Sequence, residues 1–340
     1  MLTLLRYILF PFSLLYALIV VLRNWCYDFG LFESKRFETP TIVVGNLSVG
    51  GTGKTPMIEF LVAALMQDRK LAILSRGYRR KSKGFVLANA DSDVLDLGDE
   101  PYQMSRKFPE VPLAVDGDRR RGIARLEREV GPEVILLDDA FQHRRVAACL
   151  SLLLTTYARP FHRDWYVPTG YLRDAKSQSK RASAIVVTKC PKTMGIKEME
   201  ELGNRLRRHS GQEVLFATLG YGGAVKNKEG AMDLELLRHR TIDLVTGIAD
   251  PRPLVEHLQA LDIQVVHHAY PDHHYFTAKE IAFFNSVDFV LTTEKDYVRL
   301  QGKVDKLSYL PVYHEFLRGG DKKLMELINT GIKRCSPSSS

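Results

Sequence analysis

The segment from Val44 to Pro56, VGNLSVGGTGKTP, gathers the residue types needed to hold a nucleoside triphosphate. It closes a short apolar run and opens a stretch with helical spacing, the setting a phosphate-binding loop requires. Gly50, Gly51 and Gly53 let the backbone wrap closely around phosphate oxygens, with N–H groups aimed inward at the positive end of the next helix. Ser48, Val49 and Thr52 complete the loop. Lys54 would reach the β- and γ-phosphates, and the Thr55 hydroxyl would ligate Mg²⁺. One departure is visible: Ser48 replaces the first glycine of G-x-x-x-x-G-K-T. A ligand-free glycine turn is the bland alternative, and the agreement of strand, loop and helix weighs against it.

A second element supports the first. Val134–Asp139 reads VILLDD, an apolar run ending in carboxylates, which would bring Asp138 or Asp139 to the metal. Either one alone could be a helix cap. The stretch VTKC at Thr188–Lys189 faintly resembles a guanine-reading loop but lacks the aspartate that should follow, so ATP is the expected nucleotide.

A phosphoryl acceptor needs a group to take or orient its proton, and cations to hold spread charge. Four loops are dense in such residues: Ser75–Tyr78 with Arg76, Leu97–Pro101 with Asp99, Asp116–Arg120 with Arg119, and Asp139–His143 with Gln142. Each follows or interrupts a hydrophobic run, as loops at the C-terminal edge of a parallel sheet do, and ligands of open α/β sheets bind there. Further on, Tyr270–His274 sets a carboxylate beside two histidines. Adjacent side chains on a strand point to opposite sides, which disfavours one shared metal. A substrate-facing or catalytic histidine and a histidine-rich surface loop both fit this segment.

The elements that must position these groups follow from apolar patterning. A short β-branched run at Thr41–Val44 and further short apolar runs at Leu71–Leu74, Val111–Val115, Val134–Leu137, Leu150–Leu154 and Ala184–Thr188 alternate with polar helical stretches. Continuous apolar strands of this kind predict an α/β fold of P-loop NTPase type, with a mostly parallel sheet covered by helices on both faces. After Leu215, Gly220, Gly222 and Gly223 break the pattern, which resumes at Ile242–Val245, Ile263–His267 and Phe289–Thr292. The expected organisation is a hydrophobic helix over 1–30, a P-loop domain over 31–215, a hinge and smaller C-terminal α/β lobe over 216–330, and a disordered tail over 331–340.

The chain has 340 residues and a net charge of +8, which favours anionic partners. Its four cysteines are scattered, as expected of reduced thiols in a cytosol-facing protein. Tyr7–Leu22 is apolar except for Ser13 and is bracketed by Arg6 and Arg23. No small-residue cleavage site follows, which disfavours a removed signal peptide. A buried core helix is the alternative, and a helix entering or lying in a membrane is expected, with the arginines, Trp25 and Tyr27 at headgroup level.

Taken in order, VGNLSVGGTGKTP, SRGYRR, LGDEP, DDAFQH, PDHH and TTEKDYVRL resemble the tetraacyldisaccharide 4′-kinases, the lipid A 4′-kinases of Gram-negative bacteria. The resemblance covers nearly the whole chain, and Ser48 is ordinary within that family. It implies transfer of the ATP γ-phosphate to the 4′-hydroxyl of a tetraacylated glucosamine disaccharide 1-phosphate, at the cytoplasmic face of the bacterial inner membrane. It also implies that Lys54 and Thr55 bind ATP–Mg²⁺, that Asp99 aided by His273 is the acid–base group, and that Asp138 and Asp139 serve the metal. Gln142 and His143 would line the nucleotide site, and Arg76, Arg119 and Arg173 would meet the lipid's sugar or phosphate. Asp174 stands where the family commonly has glutamate; a shorter carboxylate could reach magnesium through water. The expected partners are the acylated disaccharide phospholipid and the membrane surface, with no nucleic acid, and the expected state is a monomer. The competing class is a membrane-associated P-loop ATPase acting as a partner-regulated switch, for which LGDEP and PDHH would have no use.

Overall fold

The computed structural model describes residues 2–336. Helix α1 (Leu2–Asp28) leads into β1 (Thr41–Asn46), followed by α2 (Lys54–Leu65), β2 (Leu71–Ser75) and β3 (Val86–Leu87). Next come α3 (Val94–Leu97), α4 (Asp99–Lys107), β4 (Leu113–Val115), α5 (Arg119–Glu129) and β5 (Val134–Asp138). The strands β6 (Leu150–Thr156) and β7 (Ala184–Thr188) precede α6 (Ile196–Leu206) and β8 (Glu213–Tyr221). Beyond them lie β9 (Ala224–Lys226), β10 (Ala231–Asp233), β11 (Thr241–Thr246), α7 (Arg252–Ala260), β12 (Gln264–Ala269) and α8 (Ala278–Ser286). The chain finishes with β13 (Val290–Thr293), α9 (Glu294–Leu300), β14 (Leu307–Leu310), β15 (Val312–Phe316) and α10 (Gly320–Cys335).

The described residues form two sheets. The larger has the order β15-β8-β7-β6-β1-β5-β2-β4-β3 and is parallel except at its two edges, where β15 and β3 run antiparallel. The smaller has the order β10-β9-β14-β13-β11-β12, with a parallel centre. Strands β1 and β5 are buried along their whole length because helices cover both faces. Alternation then divides β1: Ile42 and Val44 join the core beneath α2, α4 and α10, while Val43 joins the core beneath α5 and α6. In α2, Met57, Ile58, Leu61, Val62 and Leu65 recur at helical spacing and are all buried. The α/β fold with a mostly parallel sheet is the one expected.

Three expectations need correction. No break falls at 216, since β8 runs unbroken from Glu213 to Tyr221 and pairs with both β7 and β15. The chain also leaves the smaller sheet before residue 330: β15 and α10 return to the larger one, where Leu324, Ile328 and Ile332 enter its core. That four-residue spacing makes an apolar stripe which must be buried somewhere, and it keeps residues expected in the tail helical to Cys335. Residues 337–340 lie outside the described region. Third, Cys149 and Cys335 are not free thiols but form a disulfide, because the return of α10 brings it against the start of β6.

Helix α1 inverts the usual pattern. From Ile8 onward its buried residues are Ser13, Val20 and Asn24, whereas Phe12, Leu15, Leu18, Ile19 and Trp25 are exposed. The polar stripe is what docks: Ser13 Oγ donates to the Thr169 hydroxyl at 2.7 Å, Tyr16 donates to the Arg173 carbonyl, and Arg23 donates to the Gln142 carbonyl. Ile8–Asp28 is long and apolar enough to cross a membrane, with a mean hydropathy of 1.7.

The two sheets meet where α2, α4 and α9 converge. Lys107 Nζ bonds Glu59 at 2.7 Å and Glu294 at 2.9 Å, and Gln103 donates to Glu59 at 2.8 Å. Burial, helped by the Glu294 charge, pushes Glu59 from its ordinary 4.5 up to about 7. Between those values the folded state keeps a proton that the unfolded chain has lost, so this group's contribution to stability falls as pH rises through the window. Glu59→Gln keeps the shape without the titration. Its denaturation midpoint should vary less with pH across that window than the parent's, and an unchanged dependence would assign the proton to another group.

Candidate active site

The loop between β1 and α2 is shaped by neighbours on both sides. The Val49 amide donates to the Tyr171 carbonyl at 2.7 Å and the Arg173 amide to the Leu47 carbonyl at 2.8 Å, so residues 171–173 line one flank. Inside, Asn46 donates to the Thr52 hydroxyl at 2.8 Å, and the Thr188 hydroxyl donates to the Thr52 carbonyl at 2.9 Å.

The three loop glycines are not equivalent. Gly50 and Gly51 are exposed at the tip, where a β-carbon on either would have no protein atom within 4 Å. Packing therefore does not require glycine there, contrary to a simple reading of the motif as a tight turn. Gly50 owes its identity to a left-handed φ of 104°, and its carbonyl accepts the Thr52 amide at 3.0 Å. Gly51 has no positive φ, so the open space over its backbone is the feature that suits a phosphate. Gly53 is constrained twice: it caps α2 at φ 83°, and a β-carbon would lie 2.7 Å from the His314 ring. Lys54 and Thr55 follow as the first two residues of the helix, where its unpaired amides and dipole favour an anion.

Because β1 lies between β5 and β6, the end of β5 delivers its carboxylates beside this loop. Asp139, at φ 46°, has Lys54 Nζ at 3.8 Å and accepts a forked pair of hydrogen bonds from Arg173. Burial alone would raise its pKa, but Lys54 and Arg173 outweigh it and hold the carboxyl down at about 2. Asp138 differs. Its Oδ2 accepts from Ser75 at 2.8 Å, while its buried Oδ1 has no partner. Burial, then the Asp139 charge, push it up to about 6, and Glu100 adds to that push. A buried carboxylate oxygen with unspent lone pairs is costly unless something binds it. Asp138 and the Thr55 hydroxyl are therefore a fitting donor pair for Mg²⁺, which takes few protein ligands and completes its shell with phosphate oxygens and water. Among the described residues no cluster of three or more His, Cys, Asp or Glu side chains suited to a metal occurs.

A second charged cluster forms around Asp99, the first residue of α4. Gly98 permits the turn into that helix at φ 90°; a β-carbon there would lie 2.7 Å from the Tyr78 carbonyl oxygen. Asp99 is 8% exposed. His273 Nδ1 lies 2.9 Å from its Oδ2, and Arg299 grips both oxygens, with Nε donating to Oδ1 at 2.9 Å. Burial pushes this carboxyl upward, yet the bonds from His273 and Arg299 prevail and keep it well below the ordinary range.

Other expected residues are placed differently. Arg119 is 2% exposed and braces backbone, donating to the Asp116 carbonyl at 2.7 Å and the Asp138 carbonyl at 3.2 Å. Buried behind the carboxylates, it does not present its guanidinium to a lipid. Arg173 turns to Asp139 and Asn46, so a carboxylate occupies the guanidinium expected to meet the substrate. Arg76, at the end of β2, is exposed. Asp174 stands apart from the expected metal group: its Oδ1 accepts from Asn24 of α1 at 2.7 Å, and Oδ2 faces Arg181 at 3.9 Å. Successive side chains here leave in opposite directions, so Arg173 serves the loop and Asp174 serves α1. Gln142 donates to the Asn46 carbonyl at the root of the loop at 2.7 Å. His143 instead lines a cavity of about 190 Å³ with Arg144 and Arg181, and burial, then Arg119, push it down to about 4.

A family model described as tetraacyldisaccharide-1-P 4′-kinase matches residues 5–333. The chain belongs to the tetraacyldisaccharide-1-P 4′-kinase family. Among relatives, the tetraacyldisaccharide 4′-kinase of Flavobacterium johnsoniae is 43% identical over 92% of this chain and 94% of its own length. That of Flavobacterium psychrophilum is 42% identical over 96% of both. A crystal structure of LpxK from Aquifex aeolicus in complex with ATP superposes with a TM-score of 0.79 at 32% identity, covering 96% of this chain and 99% of that one.

Sequence patterning in this kinase carried no signal for His314, on the antiparallel edge strand β15. Its buried Nε2–H donates to the Gly53 carbonyl at 2.8 Å, and burial pushes it down to about 4, so the ring stays neutral. His314→Ala should weaken nucleotide binding roughly tenfold, the worth of about one hydrogen bond. His314→Gln, which can still donate, should recover part of that loss. Calorimetric titration with ATP checks this; parental affinity in His314→Ala would show that Gly53 holds its conformation unaided.

Proposed function

We infer that this chain transfers the γ-phosphate of ATP to the 4′-hydroxyl of tetraacyldisaccharide 1-phosphate, a step of lipid A biosynthesis. The observation that carries the reading is the pair of charged clusters at one sheet edge: a phosphate cradle with Lys54 and Asp138, and an ionised Asp99 beside Glu100, which itself influences Asp138. A partner-regulated ATPase would need the first cluster only.

In this reading the loop amides not already engaged within the protein, those of Gly50 and Gly51 among them, and the Lys54 ammonium hold the β- and γ-phosphates in line with the acceptor. Thr55 and Asp138 would hold Mg²⁺, which when bound neutralises charge on those phosphate oxygens. Asp139 keeps Lys54 and Arg173 from repelling one another until the phosphates arrive. Asp99 orients the sugar hydroxyl and takes its proton as the oxygen bonds to phosphorus and ADP leaves. His273 positions Asp99.

The exposed apolar stripe of α1 supports attachment to the cytoplasmic face of the inner membrane, where the lipid substrate would be met. Large exposed apolar faces mark such contacts. Replacing Leu15 and Ile19 by glutamate should abolish sedimentation with anionic phospholipid vesicles, while ATP binding persists. Retained sedimentation would move the membrane contact elsewhere.

The decisive measurement is transfer of labelled γ-phosphate from ATP–Mg²⁺ to tetraacyldisaccharide 1-phosphate in detergent micelles. The parent should label the lipid, and a chelator should abolish labelling. Lys54→Ala should lose ATP affinity, whereas Asp99→Ala should keep it and lose about 10²–10⁴-fold in turnover. ATP hydrolysis without labelled lipid would favour the ATPase reading.

A further inference from the structure

The segment TTEKDYVRL becomes the end of β13 and helix α9, in the smaller sheet, yet two of its side chains reach the cluster around Asp99 in the larger one. We propose that Lys295 and Arg299 are positioning residues for phosphoryl transfer: Lys295 fixes the tautomer of His273, and Arg299 aims the Asp99 carboxylate. The inference rests on the reading of Asp99 as the group that takes the acceptor proton.

Lys295 and Arg299 are four residues apart and so share one helical face. Lys295 Nζ lies 3.0 Å from His273 Nε2. An ammonium can only donate, so Nε2 accepts and the ring proton falls on Nδ1. Nδ1 is the nitrogen 2.9 Å from Asp99 Oδ2, and its N–H donates there. Arg299 Nη2, also a donor, lies 2.8 Å from Nδ1, and both nitrogens converge on Asp99 Oδ2 as their shared acceptor. Without Lys295 either nitrogen could carry the proton, and the Nε2–H tautomer would turn a lone pair toward the carboxylate. Asp272 Oδ1, at 2.9 Å, and Glu100 Oε1, at 3.6 Å, hold the ammonium in place.

Arg299 supplies the second restraint. Its fork spans both oxygens of Asp99, a geometry a single lysine point charge does not reproduce. The guanidinium is itself fixed: Nη1 donates to the His274 carbonyl at 3.3 Å and faces Asp296 at 3.6 Å. Asp296 is anchored by the Gly247 amide at 2.8 Å and the Thr293 hydroxyl at 2.8 Å. The charged and titratable groups facing Asp99 are thus His273 and Arg299 directly, with Lys295, Asp272, Glu100, Asp296 and the Tyr78 ring around them. Phosphoryl transfer passes through a loose transition state that depends more on placement than on base strength. A carboxylate kept ionised and aimed suits that requirement. A purely structural ion pair would contribute to stability alone.

The test measures kcat, KM for ATP and for the lipid, the acid limb of the kcat profile and the thermal midpoint. Arg299→Gln removes the fork and a positive charge. It should lower kcat by about tenfold or more with KM for ATP unchanged. Its acid limb should move to higher pH, because a less stabilised carboxylate gains its proton earlier as pH falls. Arg299→Lys should restore part of both, and it serves as the probe if Arg299→Gln does not fold. Lys295→Met should lower kcat, and the ¹⁵N shifts of His273 should change from the Nδ1–H tautomer to a mixture. Parental kcat and acid limb in both variants, beside an inactive Asp99→Ala, would overturn this inference alone and leave a structural ion pair. Parental turnover in Asp99→Ala would instead overturn the reading on which it rests.

Discussion

Three cationic side chains, Lys54, Arg173 and Arg119, approach one end of the larger sheet, and they coexist there because Asp139 stands among them. Its charge compensates theirs before any phosphate arrives. The same charge, together with burial, makes the adjacent Asp138 reluctant to ionise. Two neighbouring carboxylates thus acquire different characters from a single arrangement: one committed to cations, the other with an oxygen left to bind. The strand order that sets β1 against β5 makes this possible, since loop and carboxylates then leave the same edge.

The second cluster solves a different problem. Asp99 belongs to the larger sheet's helices, while His273 and Arg299 belong to the smaller sheet, so the carboxylate is restrained by groups arriving from across the molecule. The Glu59–Lys107–Glu294 contact ties the same helices together nearby. A rearrangement of one sheet against the other would alter both the aim and the acidity of Asp99, which couples the geometry of the fold to the chemistry of the acceptor.

Helix α1 shows how an apolar segment can be held without being buried. Hydrogen bonds from Ser13, Tyr16, Arg23 and Asn24 attach it to the body through its few polar residues. Its apolar stripe is left facing outward. Asp174 belongs to this attachment, which explains why a carboxylate next to Arg173 turns away from the phosphate loop.

Much of the larger sheet was legible because parallel strands buried on both faces must be apolar throughout, and the intervening helices must show the 3.6-residue stripe. The phosphate loop was legible too: its glycines, lysine and threonine act within a few residues of one another, so spacing alone encodes the geometry. What spacing did not reveal is that Gly50 and Gly51 face open space while Gly53 is pressed against His314. LGDEP and PDHH were visible as motifs, and the family they resemble is the family to which the chain belongs. Partners distant along the chain were not legible. Arg299 reaches Asp99 across 200 residues and His314 reaches Gly53 across 261, and no local pattern records which face meets which. The burial of Arg119, the turning of Asp174 toward α1 and the return of β15 and α10 to the larger sheet have the same origin. Periodicity states which face of an element must be covered; only the packed chain decides what covers it, because burial energy is non-directional while hydrogen bonds and ion pairs require a particular neighbour.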